Sequence, residues 1–127
     1  MSCGEDPDEM IPFIEGYWEI VEVKKDGKLV KSYSINLNVD YFEVNEDLSG
    51  FRKKVSPTFD GKYNVSQHQT SFNLKTESKR LVIYYSDNDI KYKETIVQAT
   101  STTLRIENEQ GFVYIYKPFQ LLNETYE

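Results

Sequence analysis

One histidine, one cysteine and a scatter of carboxylates are what this 127-residue chain offers to chemistry. A nucleophile–base pair would have to use His68, because there is no other histidine. Such a pair works only when both side chains are held within hydrogen-bond reach. Cys3 stands in an acidic, proline-punctuated segment that reads as unstructured and cannot be held in that way. His68 lies in Ser-Gln-His-Gln, polar on all sides, and reads as an exposed strand or turn residue. With a single histidine and a single cysteine, a tetrahedral zinc site is not expected. Asp87-Asn88-Asp89 has oxygen ligands suited to calcium but lacks the fuller Asp-x-Asp-x-Asp-Gly spacing. A hairpin turn explains that run better. Acid–base catalysis would need Asp40, Glu94 or His68 to converge in one pocket, and their spacing gives no sign of it. The chain is therefore expected to be non-enzymatic, with no metal and no cofactor.

The elements that would position these residues are strands. Tyrosine occurs ten times and phenylalanine seven times, while Ala99 is the only alanine. Aromatic and β-branched side chains pack well on a pleated surface and lose freedom in a helix. From Gly16 onward, short alternating runs are separated by turn signals such as Asp26-Gly27 and Asp60-Gly61. The runs begin near Gly16, Val39, Phe51, Tyr63, Thr70, Arg80, Ile90, Leu104 and Phe112. Eight to nine strands at this spacing, joined by short loops, make an antiparallel meander. Closing it into an up-and-down barrel removes the two free edges. The fold class is thus all-β, with a single helical turn expected around Ile11 to Glu15. The domain is expected to span 13–120, behind a flexible acidic tail at 1–12 and ahead of a C-terminal tail at 121–127.

Net charge is −6, but Glu5, Asp6, Asp8 and Glu9 carry four of the negative charges. The remaining 17 acidic and 15 basic residues nearly balance, so no basic face for nucleic acid is expected. The local run Arg52-Lys53-Lys54 reads as the solvated face of a strand. The apolar runs are strand-sized, far short of the roughly 20 residues of a spanning helix. Ser2-Cys3-Gly4 followed by acidic residues resembles the mature start of a bacterial lipoprotein, whose cysteine is acylated. That resemblance implies a lipid anchor at Cys3 and a place in the bacterial cell envelope, at the outer membrane. The competing reading is an idle thiol on a cytoplasmic protein.

Gly16-Tyr17-Trp18, after the apolar turn Ile11-Pro12-Phe13-Ile14, resembles the opening of the lipocalin family. The run from Phe59 to Phe119, with its closing Tyr-x-Tyr-Lys-Pro, is similar to lipocalin-like domains of envelope lipoproteins. The resemblance implies that Trp18 plugs one end of the barrel under an arginine or lysine. Here Lys117 or Arg105 would be that cation. The family's Thr-Asp-Tyr loop is replaced by Ser86-Asp87-Asn88-Asp89, which points to the wider lipocalin-like group. A barrel of this size holds either packed side chains or one small ligand. Trp18, Phe42, Tyr63, Phe72, Tyr92 and Tyr114 are the candidate ligand-lining residues. The expected function is a monomeric binding protein for a small apolar or amphipathic molecule. The alternative is a module with a filled barrel whose outer tyrosines engage a protein or glycan.

Overall fold

Apolar–polar alternation produces nine antiparallel strands in the computed structural model. It describes residues 6–33, 39–57 and 63–119, with 57 and 63–67 by backbone alone. The strands are β1 (Gly16–Lys25), β2 (Lys28–Ser32), β3 (Val39–Val44), β4 (Ser49–Pro57) and β5 (Tyr63–Glu77). They continue as β6 (Arg80–Asp87), β7 (Ile90–Ala99), β8 (Leu104–Asn108) and β9 (Phe112–Pro118). Strands β3 to β9 pair in sequence order, and β1 pairs with both β3 and β9. That double pairing closes an eight-stranded antiparallel barrel. Strand β2 pairs with β1 alone, and all five of its residues are exposed, so it stands outside the ring.

The tight turns follow from residues that tolerate left-handed backbone. Asp26-Gly27, Ser78-Lys79 and Asn88-Asp89 each place two successive residues at positive φ. This geometry matches the right-handed twist of the strands that it joins. The acidic run at 87–89 is therefore the β6–β7 hairpin, with Asp87 opposite Ile90.

Two strands expected at Tyr63 and Thr70 are one strand, β5. The polar stretch Ser66-Gln67-His68-Gln69 interrupts the hydrophobic alternation, but backbone pairing does not need apolar side chains. A register shift opposite Lys53 and Val55 absorbs the extra residues. Strand β2 makes up the ninth.

The inward faces build one core, in which Phe42, Phe72, Leu81, Ile83, Ile96, Leu104 and Ile106 are fully buried. Gly50 is required there, because a Cβ would fall 2.0 Å from the carbonyl oxygen of Glu43 and 2.8 Å from the Phe72 ring. The chain begins its structure earlier than the sequence indicates. An α-turn over Pro7–Met10 runs into a 3₁₀ turn over Ile11–Phe13, in place of a tail reaching Pro12. Asp6 caps it by accepting from the backbone N–H of Asp8 at 3.0 Å, and Pro7 occupies the favoured first position. Met10 is then driven into the core at 1% exposure beside Ile14. The acidic residues masked this amphipathic turn, whose anchor is a single methionine.

Gly16 adopts φ +134°, a conformation open to glycine, and leads the chain from the turn into β1. Trp18 follows, buried, with Nε1 donating to the carbonyl of Ile14 at 2.9 Å. It lies opposite Pro118, where β1 begins and β9 ends, and packs with Met10 and Ile14 in the core. Arg105 and Lys117, the candidates for a cation over the indole, are both exposed. The indole edge is held by a backbone carbonyl instead.

Candidate functional site: a charged cavity above the core

Strand β4 places its inner side chains by simple alternation. Gly50 and Arg52 face the interior, while the Lys53 ammonium lies over the ring of Phe51, 5.1 Å from its centroid. Arg52 is thus no solvated surface residue, contrary to the reading of the Arg52-Lys53-Lys54 run. Its guanidinium packs 4.7 Å from the centroid of Phe42, on top of the apolar core. Nη1 donates to the hydroxyl of Tyr85 at 2.6 Å and to Glu94 Oε1 at 3.3 Å. Nη2 donates to Asp40 Oδ2 at 2.8 Å and to the hydroxyl of Tyr116 at 2.9 Å. The Tyr85 hydroxyl in turn donates to Glu94 Oε1 at 2.8 Å, and Lys54 Nζ donates to Asp40 Oδ1 at 3.1 Å. Strands β3, β4, β6, β7 and β9 are joined by one arginine.

Burial alone would raise the Asp40 carboxyl, but the Arg52 and Lys54 cations outweigh it and hold it below the usual carboxylate range. Burial likewise opposes the Arg52 charge, yet Tyr85, Tyr116, Asp40 and Glu94 keep the guanidinium protonated well above its ordinary range. The hydroxyls of Tyr85 and Tyr116 are pushed up by burial, against the pull of Arg52. A group whose folded pKa is depressed stabilises the fold above its unfolded pKa and loses that contribution as pH falls. For Asp40 the loss begins below about pH 4, the ordinary aspartate range, and continues toward the lower folded value. Denaturant melts between pH 6 and pH 2 should show this acid limb, and Asp40→Asn should flatten it. An unchanged limb in the variant would mean that another carboxylate controls acid unfolding.

Above the arginine lies a cavity of about 360 Å³ bounded by Asp40, Arg52, Lys53, Lys54, His68, Thr70, Asp87, Tyr92 and Glu94. Tyr92 stacks on Tyr85 at its wall, with centroids 4.8 Å apart and planes 22° from parallel. His68 Nε2 is 3.1 Å from Asp87 Oδ2. Asp40, Glu94 and His68, whose spacing gave no sign of a pocket, therefore share one. Asp40 is not poised as a base. Asp40 is held by two cations, and its lowered pKa makes it a weak proton acceptor.

The predicted lining residues divide. Tyr92 borders the cavity, whereas Phe42, Phe72 and Trp18 lie in the buried core, Trp18 opposite Asp40 across β1 and β3. Tyr114 packs against the core, and its hydroxyl accepts from Asn108 Nδ2 at 3.2 Å. The side chain of Tyr63 and the whole of Cys3 lie outside the described residues. Sequence reasoning missed Arg52 and gave no role to Tyr85, Tyr116 or Lys54. A signal was present: Asp40 shares a strand face with Phe42 and Val44, and Glu94 sits between Tyr92 and Ile96. A charge on an apolar face demands a buried partner.

On the outside of the barrel, Tyr17, Tyr41 and Phe51 form a row across β1, β3 and β4, with centroids 4.7 and 6.0 Å apart. Burial and the bond to Glu43 push the Tyr41 hydroxyl up to about 12.

A family model described as a lipocalin-like domain matches residues 14–106. Two solved structures resemble the chain, each at 14% identity over 84% of its length. One is a lipocalin-like protein of Bacteroides uniformis, 98% covered, with a TM-score of 0.49. The other is an uncharacterized protein of Bacteroides eggerthii, 99% covered, with a TM-score of 0.50. No curated protein matches.

Proposed function

The chain belongs to the lipocalin-like domain family, a binding fold that is typically non-enzymatic, and from that premise we propose that it binds one small amphipathic molecule in the cavity above Arg52. The observation that carries this reading is the cavity of about 360 Å³ over a fixed ionic network, with an aromatic wall at Tyr92. Pockets of a few hundred Å³ with a few placed polar groups are the usual form of small-molecule sites. The deeper barrel is filled by Phe42, Phe72, Ile83 and Ile106, so the ligand sits over the core and not within it. A wholly apolar ligand fits poorly, because it would strip water from Asp40, Arg52 and Glu94 without replacing its hydrogen bonds. One polar end and one apolar end suit the two kinds of wall. The chain acts as a monomer, without cofactor or nucleic-acid partner. The Ser2-Cys3-Gly4 motif supports a lipid anchor in the bacterial envelope, tested by acyl labelling of Cys3 in cells.

The binding test is an amide NMR titration with six-carbon compounds carrying one polar end each. Ligands should move the signals of Thr70, Tyr92 and Glu94 together. A panel that leaves all three unmoved overturns the reading. The exterior row Tyr17–Tyr41–Phe51 favours a second reading, an interaction face for a protein or glycan. That reading predicts shifts at Tyr17 and Tyr41 instead.

A further inference from the structure

Inside the cavity the Nη donors of Arg52 are engaged and one carboxylate oxygen is not. Arg52 places its two Nη atoms on four acceptors: Tyr85, Glu94, Asp40 and Tyr116. Lys54 Nζ is bonded to Asp40. Glu94 receives both Tyr85 and Arg52 on Oε1, which leaves Oε2 without a hydrogen bond among the described residues. No buried side-chain oxygen there lacks a partner, so Oε2 is reached from the open space of the cavity.

Charge gives the same sign. Asp40, Asp87 and Glu94 face the cavity against Arg52 and Lys54, while the Lys53 ammonium is drawn outward over Phe51. Three carboxylates thus face two cations in that space. Tyr92, stacked on Tyr85, adds a ring face, and ring faces attract cations. A carboxylate entering the same space would meet carboxylates and could reach Arg52 only by displacing Asp40 or Glu94.

We propose that the cavity receives the ammonium or amidinium end of a small organic cation, with Glu94 Oε2 as its acceptor and Tyr92 as the flanking wall. This rests on the reading of the cavity as a ligand site and names the chemical class of its ligand.

The test is calorimetry and amide NMR with n-hexylamine, hexanoate and hexanol at matched ionic strength. Hexylamine should bind at least tenfold more tightly than hexanoate, with shifts at Thr70, Tyr92 and Glu94. Glu94→Gln should weaken hexylamine about tenfold or more, the worth of one charge-assisted hydrogen bond. Lys54→Met leaves the Arg52–Glu94 contact in place and removes a competing cation, so it should tighten hexylamine severalfold. That variant also serves if Glu94→Gln fails to fold. Hexanoate binding as well as or better than hexylamine overturns the cation assignment and leaves the ligand site standing. Unchanged or weakened hexylamine binding in Lys54→Met overturns it as well. Silence from all three compounds removes the site together with the assignment.

Discussion

Replacing Arg52 with leucine is expected to destabilise the barrel by about 3–5 kcal/mol, the usual cost of removing one partner from a buried ion network. Leucine fills part of the space over Phe42, so the loss is not chiefly one of packing. What remains is Asp40, 4% exposed, facing Glu94 with no arginine between them. The hydroxyls of Tyr85 and Tyr116 also lose their common donor. For a domain of this length, such a change lowers the melting temperature by roughly 10–20 °C. Adding Asp40→Asn and Glu94→Gln to Arg52→Leu should recover a substantial part of the loss, because the orphaned charges are then gone. The contrast matters more than the single value. If Arg52→Leu melts within a few degrees of the parent, water already satisfies the carboxylates and the network is a surface feature. If the triple variant is no better than the single one, packing and not charge was lost.

The barrel was legible from the spacing of its runs because strand alternation and turn residues are local signals. Asp26-Gly27 and Asn88-Asp89 announce hairpins by themselves, and Gly16 and Trp18 mark where β1 opens. The site was not legible, for a physical reason. Arg52 and Asp40 are twelve residues apart, and Arg52 and Tyr116 sixty-four, so only closure through β1 and β9 brings them together. A run of three basic residues is ordinarily a wet face, and nothing within β4 distinguishes Arg52 from Lys53. The information lay on the partner strands, where Asp40 and Glu94 occupy positions that alternation assigns to the interior. The same local reading misjudged the start of the chain. Asp6, Asp8 and Glu9 look like a solvated tail, while a helical turn buries Met10 and leaves its acidic neighbours outside. Net charge describes a segment's surface and says little about a single apolar anchor beneath it.

Trp18→Ala is expected to cost about 3–5 kcal/mol, the range found when large aromatics are cut from cores. Trp18 is 4% exposed and lies where the Pro7–Phe13 turns, the first residues of β1 and the end of β9 meet. Its removal opens a space between Met10, Ile14 and the barrel that their backbones are too constrained to close. Stabilities of small domains are only about 5–15 kcal/mol, so the variant is left with a fraction of its margin. Trp18→Phe separates the two roles of the side chain. It keeps most of the ring and loses the indole N–H donated to Ile14. That bond contributes about 0.5–1.5 kcal/mol, so the phenylalanine variant should lie much nearer the parent than the alanine one. Urea melts followed by circular dichroism measure both without relying on tryptophan fluorescence. If alanine and phenylalanine cost the same, the hydrogen bond to the turn dominates and the ring is not a plug. If neither costs more than about 1 kcal/mol, the barrel end is closed by Met10 and Ile14, and the Gly-x-Trp opening does not stabilise this fold.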